Sequence, residues 1–189
     1  MPLWVFRYII LSYFDLFYNF FHTFFDGKIQ NIIKFGDSRM DKWDKRFMQL
    51  TRTVATWSSC FQEGRKVGAV IVRDKRIITT GYNGAPSGIK SCVEKGECLR
   101  KKLGILSGTK HELCFAVHAE QNAIIQAARL GISIDKATLY CTHQPCVICA
   151  KMIINAGISR VVYEHGYPDE FSLQLFEEAN IKVEKYMED

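Results

Sequence analysis

Two short motifs constrain this chain more than anything else in it: His118-Ala-Glu120 and Pro145-Cys-Val-Ile-Cys149. One imidazole and two thiolates supply three of the four ligands of a tetrahedral zinc ion. The fourth position is left open for water, which points to catalysis rather than scaffolding. A fold that serves both motifs must bring two helix starts together. Pro145 suits the first turn of a helix, and the partial positive charge at a helix N-terminus favours Cys146 and Cys149 as thiolates, the form that binds metal. Residues two apart within a helix point about 200° apart, so His118 and Glu120 share one cleft only at the helix's first turn. Glu120 is not needed as a ligand, which frees it to move protons. A buried histidine, a solvated glutamate or two core cysteines would be ordinary singly; their joint spacing argues for a site.

Cysteine usage agrees with metal chemistry. Seven cysteines in 189 residues is an odd number, and the start of the chain offers no clean cleavable secretory signal. Thiol or metal chemistry in a reducing, cytoplasmic compartment is therefore expected rather than a disulfide framework. Cys60, Cys92, Cys98, His111 and Cys114 lie outside the first motif pair, and four of these five suffice for a structural tetrahedron. The net charge of +5 comes from scattered residues, so no basic arm for nucleic acid is expected, whereas a small anionic substrate fits.

Half of the chain's aromatic residues fall before Met40, and this shift marks a boundary between residues 1–39 and a domain over 40–189. Leu3 to Phe25 is long enough to span a bilayer, but Arg7, Asp15, Asn19 and His22 interrupt it. On a helix, Leu11, Phe14, Phe17, Tyr18, Phe21 and Phe25 share one side. Three readings stay open: a translated region upstream of a true start at Met40, an extension docked on the domain, or a membrane-associated helix.

From Met40 onward the pattern predicts alternating elements. Trp43, Phe47, Leu50, Val54 and Trp57 place a helix within 41–59, and 67–72 reads as a strand. Residues 73–75 form a turn into a second strand over 76–80. Gly81-Tyr-Asn-Gly-Ala-Pro-Ser-Gly88 reads as a loop with unusual backbone angles. Helices follow over 118–130, 145–156 and 170–179, and strands over 137–142, 160–164 and 181–186. That order predicts an α/β fold of three layers, α/β/α, with a mixed central sheet.

Taken together, the 81–88 segment, His118-Ala-Glu-Gln-Asn-Ala-Ile124 and Thr142-His-Gln-Pro-Cys-Val-Ile-Cys-Ala-Lys151 resemble the deoxycytidylate deaminases of the cytidine deaminase superfamily, over Trp43 to Tyr186. The resemblance implies hydrolysis of dCMP to dUMP and ammonia, supplying dUMP for thymidylate synthesis. It implies a cytidine deaminase-like fold in a homo-oligomer, often a hexamer. It assigns catalytic zinc to His118, Cys146 and Cys149, proton transfer to Glu120, and substrate contact to Asn83 and Tyr167. It also implies activation by dCTP and inhibition by dTTP, with Mg2+ accompanying the triphosphate, at a loop of Gly81, Tyr82, Asn83 and Gly84. Some members hold a second, structural zinc, for which Cys60, Cys92, His111 and Cys114 are the matching set and Cys98 the rival fourth ligand. The chain departs from the family at Trp57, where an arginine is often seen, which bears on phosphate recognition. Arg65 and Lys66, just before the first strand, offer charge for a phosphate, although a solvated pair is the commoner fate of such residues.

Two other functions compete. Deamination of a free cytosine nucleoside or base differs from the first reading in its independence of a 5′-phosphate. A non-catalytic, competence-associated zinc module would have no use for Glu120 beside an open metal position.

Overall fold

The computed structural model describes residues 40–106, 109–166 and 169–188. The expectations for residues 1–39 and for Tyr167 lie outside the described residues. By its internal packing the chain divides into two units, 1–39 and Met40–Asp189, and everything below concerns the second.

Helix α1 spans Lys42–Ala55. Asp41 caps it: its Oδ1 accepts from the amides of Trp43 (2.6 Å) and Asp44 (2.8 Å), and the Asp44 carboxylate accepts in return from the Asp41 amide. This reciprocal pair satisfies donors that the first helical turn leaves open. The helix ends earlier than the expected 59. The amides of Thr56, Trp57 and Ser58 turn back to the carbonyls of Thr53, Val54 and Ala55, a tightened last turn. Trp57, expected on the packed face, is 54% exposed as a result.

Five strands form one sheet in the order β2-β1-β3-β4-β5. Strand β1 (Gly68–Arg73) pairs antiparallel with β2 (Arg76–Tyr82) and with β3 (Thr138–His143). Strands β4 (Arg160–His165) and β5 (Lys182–Lys185) continue parallel to β3. The β1–β2 turn is made by Asp74 and Lys75, both at positive φ.

Alternation along the strands sorts the core into two layers. Val70, Val72, Tyr140 and Val162 face α1, against Phe47, Met48 and Val54. Ala69, Ile71, Leu139, Cys141 and Val161 face the other way. There they meet α4 (Ala119–Leu130), α5 (Val147–Asn155) and α6 (Glu170–Glu178) through Ala119, Ala123, Cys149, Ile153 and Phe176. This is the expected three-layer α/β/α fold. Small residues set the layer spacing: a Cβ on Gly68 would lie 2.4 Å from the Thr51 carbonyl oxygen of α1.

Asp44 of α1 is tied to the sheet. Arg160 Nη1 and Nη2 donate to its two carboxylate oxygens at 2.7 and 3.0 Å, and the Tyr140 hydroxyl donates at 2.6 Å. Arg160 Nε donates to Glu184. Burial alone would push the Asp44 carboxyl up, but the bonds from Arg160 and Tyr140 and the Arg160 charge together hold it below the usual carboxylate range.

The stretch before α4, which shows no apolar periodicity, holds two short helices, α2 (Cys92–Lys95) and α3 (Leu99–Lys102), and a 3₁₀ turn at His111–Leu113. Among the described residues no helix is long and apolar enough to cross a membrane.

Candidate active site

His118 is the N-cap of α4, in extended conformation, and Glu120 is the second residue of that helix. The His118 amide donates to Gln121 Oε1 at 3.0 Å, which fixes the start of the helix. Cys146 is the N-cap of α5, so Pro145 precedes the cap instead of occupying the first turn as expected. The two helix starts meet as required. His118 Nδ1 lies 3.5 Å from Cys146 Sγ and 3.3 Å from Cys149 Sγ. Among the described residues this is the one group of three or more such side chains whose ligand atoms all lie within 4.8 Å of one another.

The donor set fits zinc: one nitrogen and two sulfurs, gathered at two helix N-termini. The hydrogen bond between the cysteines pulls the Cys146 thiol far down despite its burial, with His118 adding to the pull. The same bond, with burial, pushes Cys149 well up. The bond between them thus favours the thiolate at Cys146 over Cys149. Burial also pushes the Glu120 carboxyl up, against the pull of His118, as suits a group that must both take and give a proton.

Asp169 holds the cysteine turn in place. Its Oδ2 accepts from the Val147 amide at 2.8 Å and its Oδ1 from the Ser172 amide at 3.0 Å, so one carboxylate caps α5 and α6 together. Gln144 Nε2 donates to the Asp169 carbonyl at 3.0 Å.

A cavity of about 270 Å³ opens onto this cluster, with Glu120, His118, Cys146, Asn83, Arg65 and Arg100 in its wall. Asn83 was expected to contact substrate, and most of its amide is spoken for. Its Oδ1 accepts from Ser58 Oγ (2.6 Å) and the Val67 amide (2.8 Å), and its Nδ2 donates to the Arg65 carbonyl (2.8 Å). The rest of the expected regulatory loop is ordered differently from the expectation. Gly81 and Tyr82 end β2, Gly84 bridges to Val117, and of the three glycines in 81–88 only Gly88 has a positive φ. Tyr82 packs edge-on against Trp57, and its carbonyl accepts from Asn122 Nδ2 at 2.8 Å.

The second cysteine group lies alongside. Cys60, Cys98, His111 and Cys114 border the same cavity. Burial pushes the thiols of Cys60 and Cys92 up, and each is raised further by neighbouring thiols, Cys114 and Cys98 in both cases. His111 packs edge-on against His118 with ring centroids 5.3 Å apart, and among the described residues three or more ligand atoms of this second group do not come within 4.8 Å of one another.

The family model described as "Cytidine and deoxycytidylate deaminase zinc-binding region" matches residues 41–165. This chain belongs to that family. Over 145 residues it is 40% identical to a deoxycytidylate deaminase of Saccharomyces cerevisiae, covering 76% of this chain and 45% of the relative, so it spans under half of that protein's length. It is 42% identical over 131 residues to the deoxycytidylate deaminase of Mycobacterium phage D29, covering 67% of this chain and 96% of the phage protein. Among solved structures, the dCMP deaminase of cyanophage S-TIM5 in complex with dCMP and dUMP matches with a TM-score of 0.63 and 32% identity, over 75% of this chain and 95% of that one.

Four polar wall residues carry no role in the sequence-based expectations: Gln62, Arg100, His143 and Gln144. His143 ends β3 and Gln144 follows it, at the carboxyl end of a strand parallel to β4, where ligands collect in such sheets, and that position was a usable signal. Arg100 carried none, since it sits in a stretch without periodicity.

Proposed function

We propose that this protein hydrolyses dCMP to dUMP and ammonia, with residues 40–189 as the deaminase domain. The observation that carries the reading is the placement of buried Glu120 beside His118, Cys146 and Cys149 at one cavity wall. It is supported by the likeness to deoxycytidylate deaminases along nearly the whole length of the phage protein.

His118, Cys146 and Cys149 would hold zinc. When bound, zinc supplies a Lewis acid that makes water a nucleophile near neutral pH. Glu120 takes a proton from the attacking water and gives it to the ring nitrogen next to C4; a further proton passes through it to the exocyclic amine, which leaves as ammonia. Burial keeps this carboxyl protonated more readily than a surface glutamate and so able to act as donor. Asn83 has one amide hydrogen left to offer a sugar hydroxyl. Tyr167, the dCTP, dTTP and Mg2+ response of Gly81 to Gly84, the homo-oligomer and the cytoplasmic location rest on the resemblance and on composition.

A second zinc belongs to the same reading. Cys60, Cys92, His111 and Cys114 are its candidate ligands, with Cys98 as the rival fourth; Cys60, Cys98, His111 and Cys114 share one cavity wall. Two zinc ions per chain, falling to one in Cys60→Ser, are expected.

The test is ammonia release from dCMP and from deoxycytidine at equal concentration with zinc present. Selective turnover of dCMP is expected. Turnover of deoxycytidine alone would move the chain to the nucleoside branch, and silence on both would favour the non-catalytic module.

A further inference from the structure

Arg100 is the second residue of α3 and only 6% exposed. Its Nη1 donates to the Lys110 carbonyl at 2.5 Å and its Nη2 to the Leu106 carbonyl at 2.8 Å. No carboxylate pairs with it among the described residues. A guanidinium carries five N–H donors and cannot shed its charge, so two carbonyls leave three donors and a full positive charge. Buried charges are ordinarily paired, because desolvation costs several kcal/mol. The half-buried Arg160 obeys the rule even so, held by Asp44 and Glu184. Arg100 departs from it while forming part of the active-site cavity wall.

The charge pattern of that cavity points to what completes the pair. Glu120 is the one carboxylate among its described wall residues, and it lies beside His118 and Cys149. Arg65, Arg100, His111 and His143 face the same space. Arg65 is exposed and bathed in solvent, so its charge demands no partner. Arg100 is dry, and an ion pair there is strengthened by the low local dielectric. Its two carbonyl bonds also lock the guanidinium plane before a ligand arrives, which suits bidentate capture of a tetrahedral oxyanion.

We infer that Arg100 is the anchor for the 5′-phosphate of the nucleotide substrate, so that the segment between β2 and α4 decides for nucleotides over nucleosides. This rests on the dCMP reading above, and it supplies a phosphate partner where Trp57 stands in place of an arginine.

The test uses the zinc-loaded full chain as wild type, Arg100→Gln and Arg100→Lys. In Arg100→Gln, kcat/KM for dCMP should fall about 10- to 100-fold through KM, the loss of a charged hydrogen bond. For deoxycytidine it should change little, and Arg100→Lys should recover part of the dCMP loss. Calorimetric titration of dUMP, deoxyuridine and inorganic phosphate gives a readout independent of turnover: dUMP and phosphate should weaken in Arg100→Gln, and deoxyuridine should not. Equal losses on dCMP and deoxycytidine would make Arg100 a strut for the Leu106 and Lys110 carbonyls and overturn the inference, as would undiminished dUMP binding. If wild type fails to deaminate dCMP yet binds phosphate through Arg100, the functional reading falls and the anchor stands. If dCMP is deaminated and Arg100→Gln binds dUMP as tightly as wild type, the reverse holds.

Discussion

Gly81 lies so close to α4 that a Cβ on it would sit 2.2 Å from the carbonyl oxygen of Ala119, the residue between His118 and Glu120. It would also sit 2.5 Å from the Ala123 amide nitrogen. Glycine at 81 thus serves close approach of strand to helix, since its φ is unremarkable. The two atoms it would strike belong to the backbone that aims His118 and Glu120.

Gly81→Ala is therefore expected to do two things. Overpacking of this kind costs about 1–3 kcal/mol or more, which a urea melt would register as a lower midpoint. The relief is movement of the α4 start, and a misplacement of about 1 Å costs on the order of 100-fold in rate. Gly84→Ala is the control, because its Cβ would meet a side-chain oxygen, Ser59 Oγ at 2.8 Å, which can rotate away. Equal activity of Gly81→Ala and wild type would show that α4 is not aimed from this contact.

Glu120→Gln keeps the shape of the side chain and removes its proton transfer. Zinc content measured by mass spectrometry should equal that of wild type, while turnover of dCMP falls about 100- to 10,000-fold. Cys149→Ala removes a ligand and should lose both metal and turnover. A Glu120→Gln enzyme that works at the normal rate would leave the mechanism without its proton carrier.

Much of this was legible in the chain. The apolar run over 67–72 reads as a strand, which the structure forms over Gly68–Arg73, and the first-turn placement of His118 and Glu120 follows from helical geometry. What escaped has a physical cause in each instance. Trp57 kept the helical spacing, yet the last turn of α1 tightened ahead of it. Gly81 looked like loop chemistry because glycine marks both positive φ and close packing, and only the partner across the gap tells them apart. Arg100 and the double cap at Asp169 depend on contacts between segments with no shared local pattern.

Asp169→Ala should weaken the cysteine turn and the last helix together. Each lost cap is worth about 1 kcal/mol, so about 2 kcal/mol is expected in a denaturant melt. Asp169→Asn offers one accepting oxygen in place of two and should fall between. Because the bonded amide of Val147 adjoins Cys146, the apparent zinc affinity of Asp169→Ala should drop as well. A stability loss with unchanged zinc affinity would mean that the α5 start holds its shape without the cap.

The Asp44–Arg160 pair sets an acid limit on the fold. The folded Asp44 carboxyl lies below its unfolded value of about 3.9, so its contribution is fully present above that pH and is lost as the pH falls through the folded value. Other carboxylates titrate in the same range, which makes the difference between wild type and Asp44→Asn the useful quantity. Removing one member of a buried pair costs about 3–5 kcal/mol. The lower end is expected, since Arg160 keeps Glu184 and asparagine retains a hydrogen-bonding oxygen. Urea melts at pH 7, 5, 4 and 3 should show that gap steady down to about pH 5 and shrinking below pH 4, as protonation removes from wild type the charge the variant never had. A gap unchanged at pH 3 would assign the loss to packing around Tyr140 and Phe47 instead of to the ion pair.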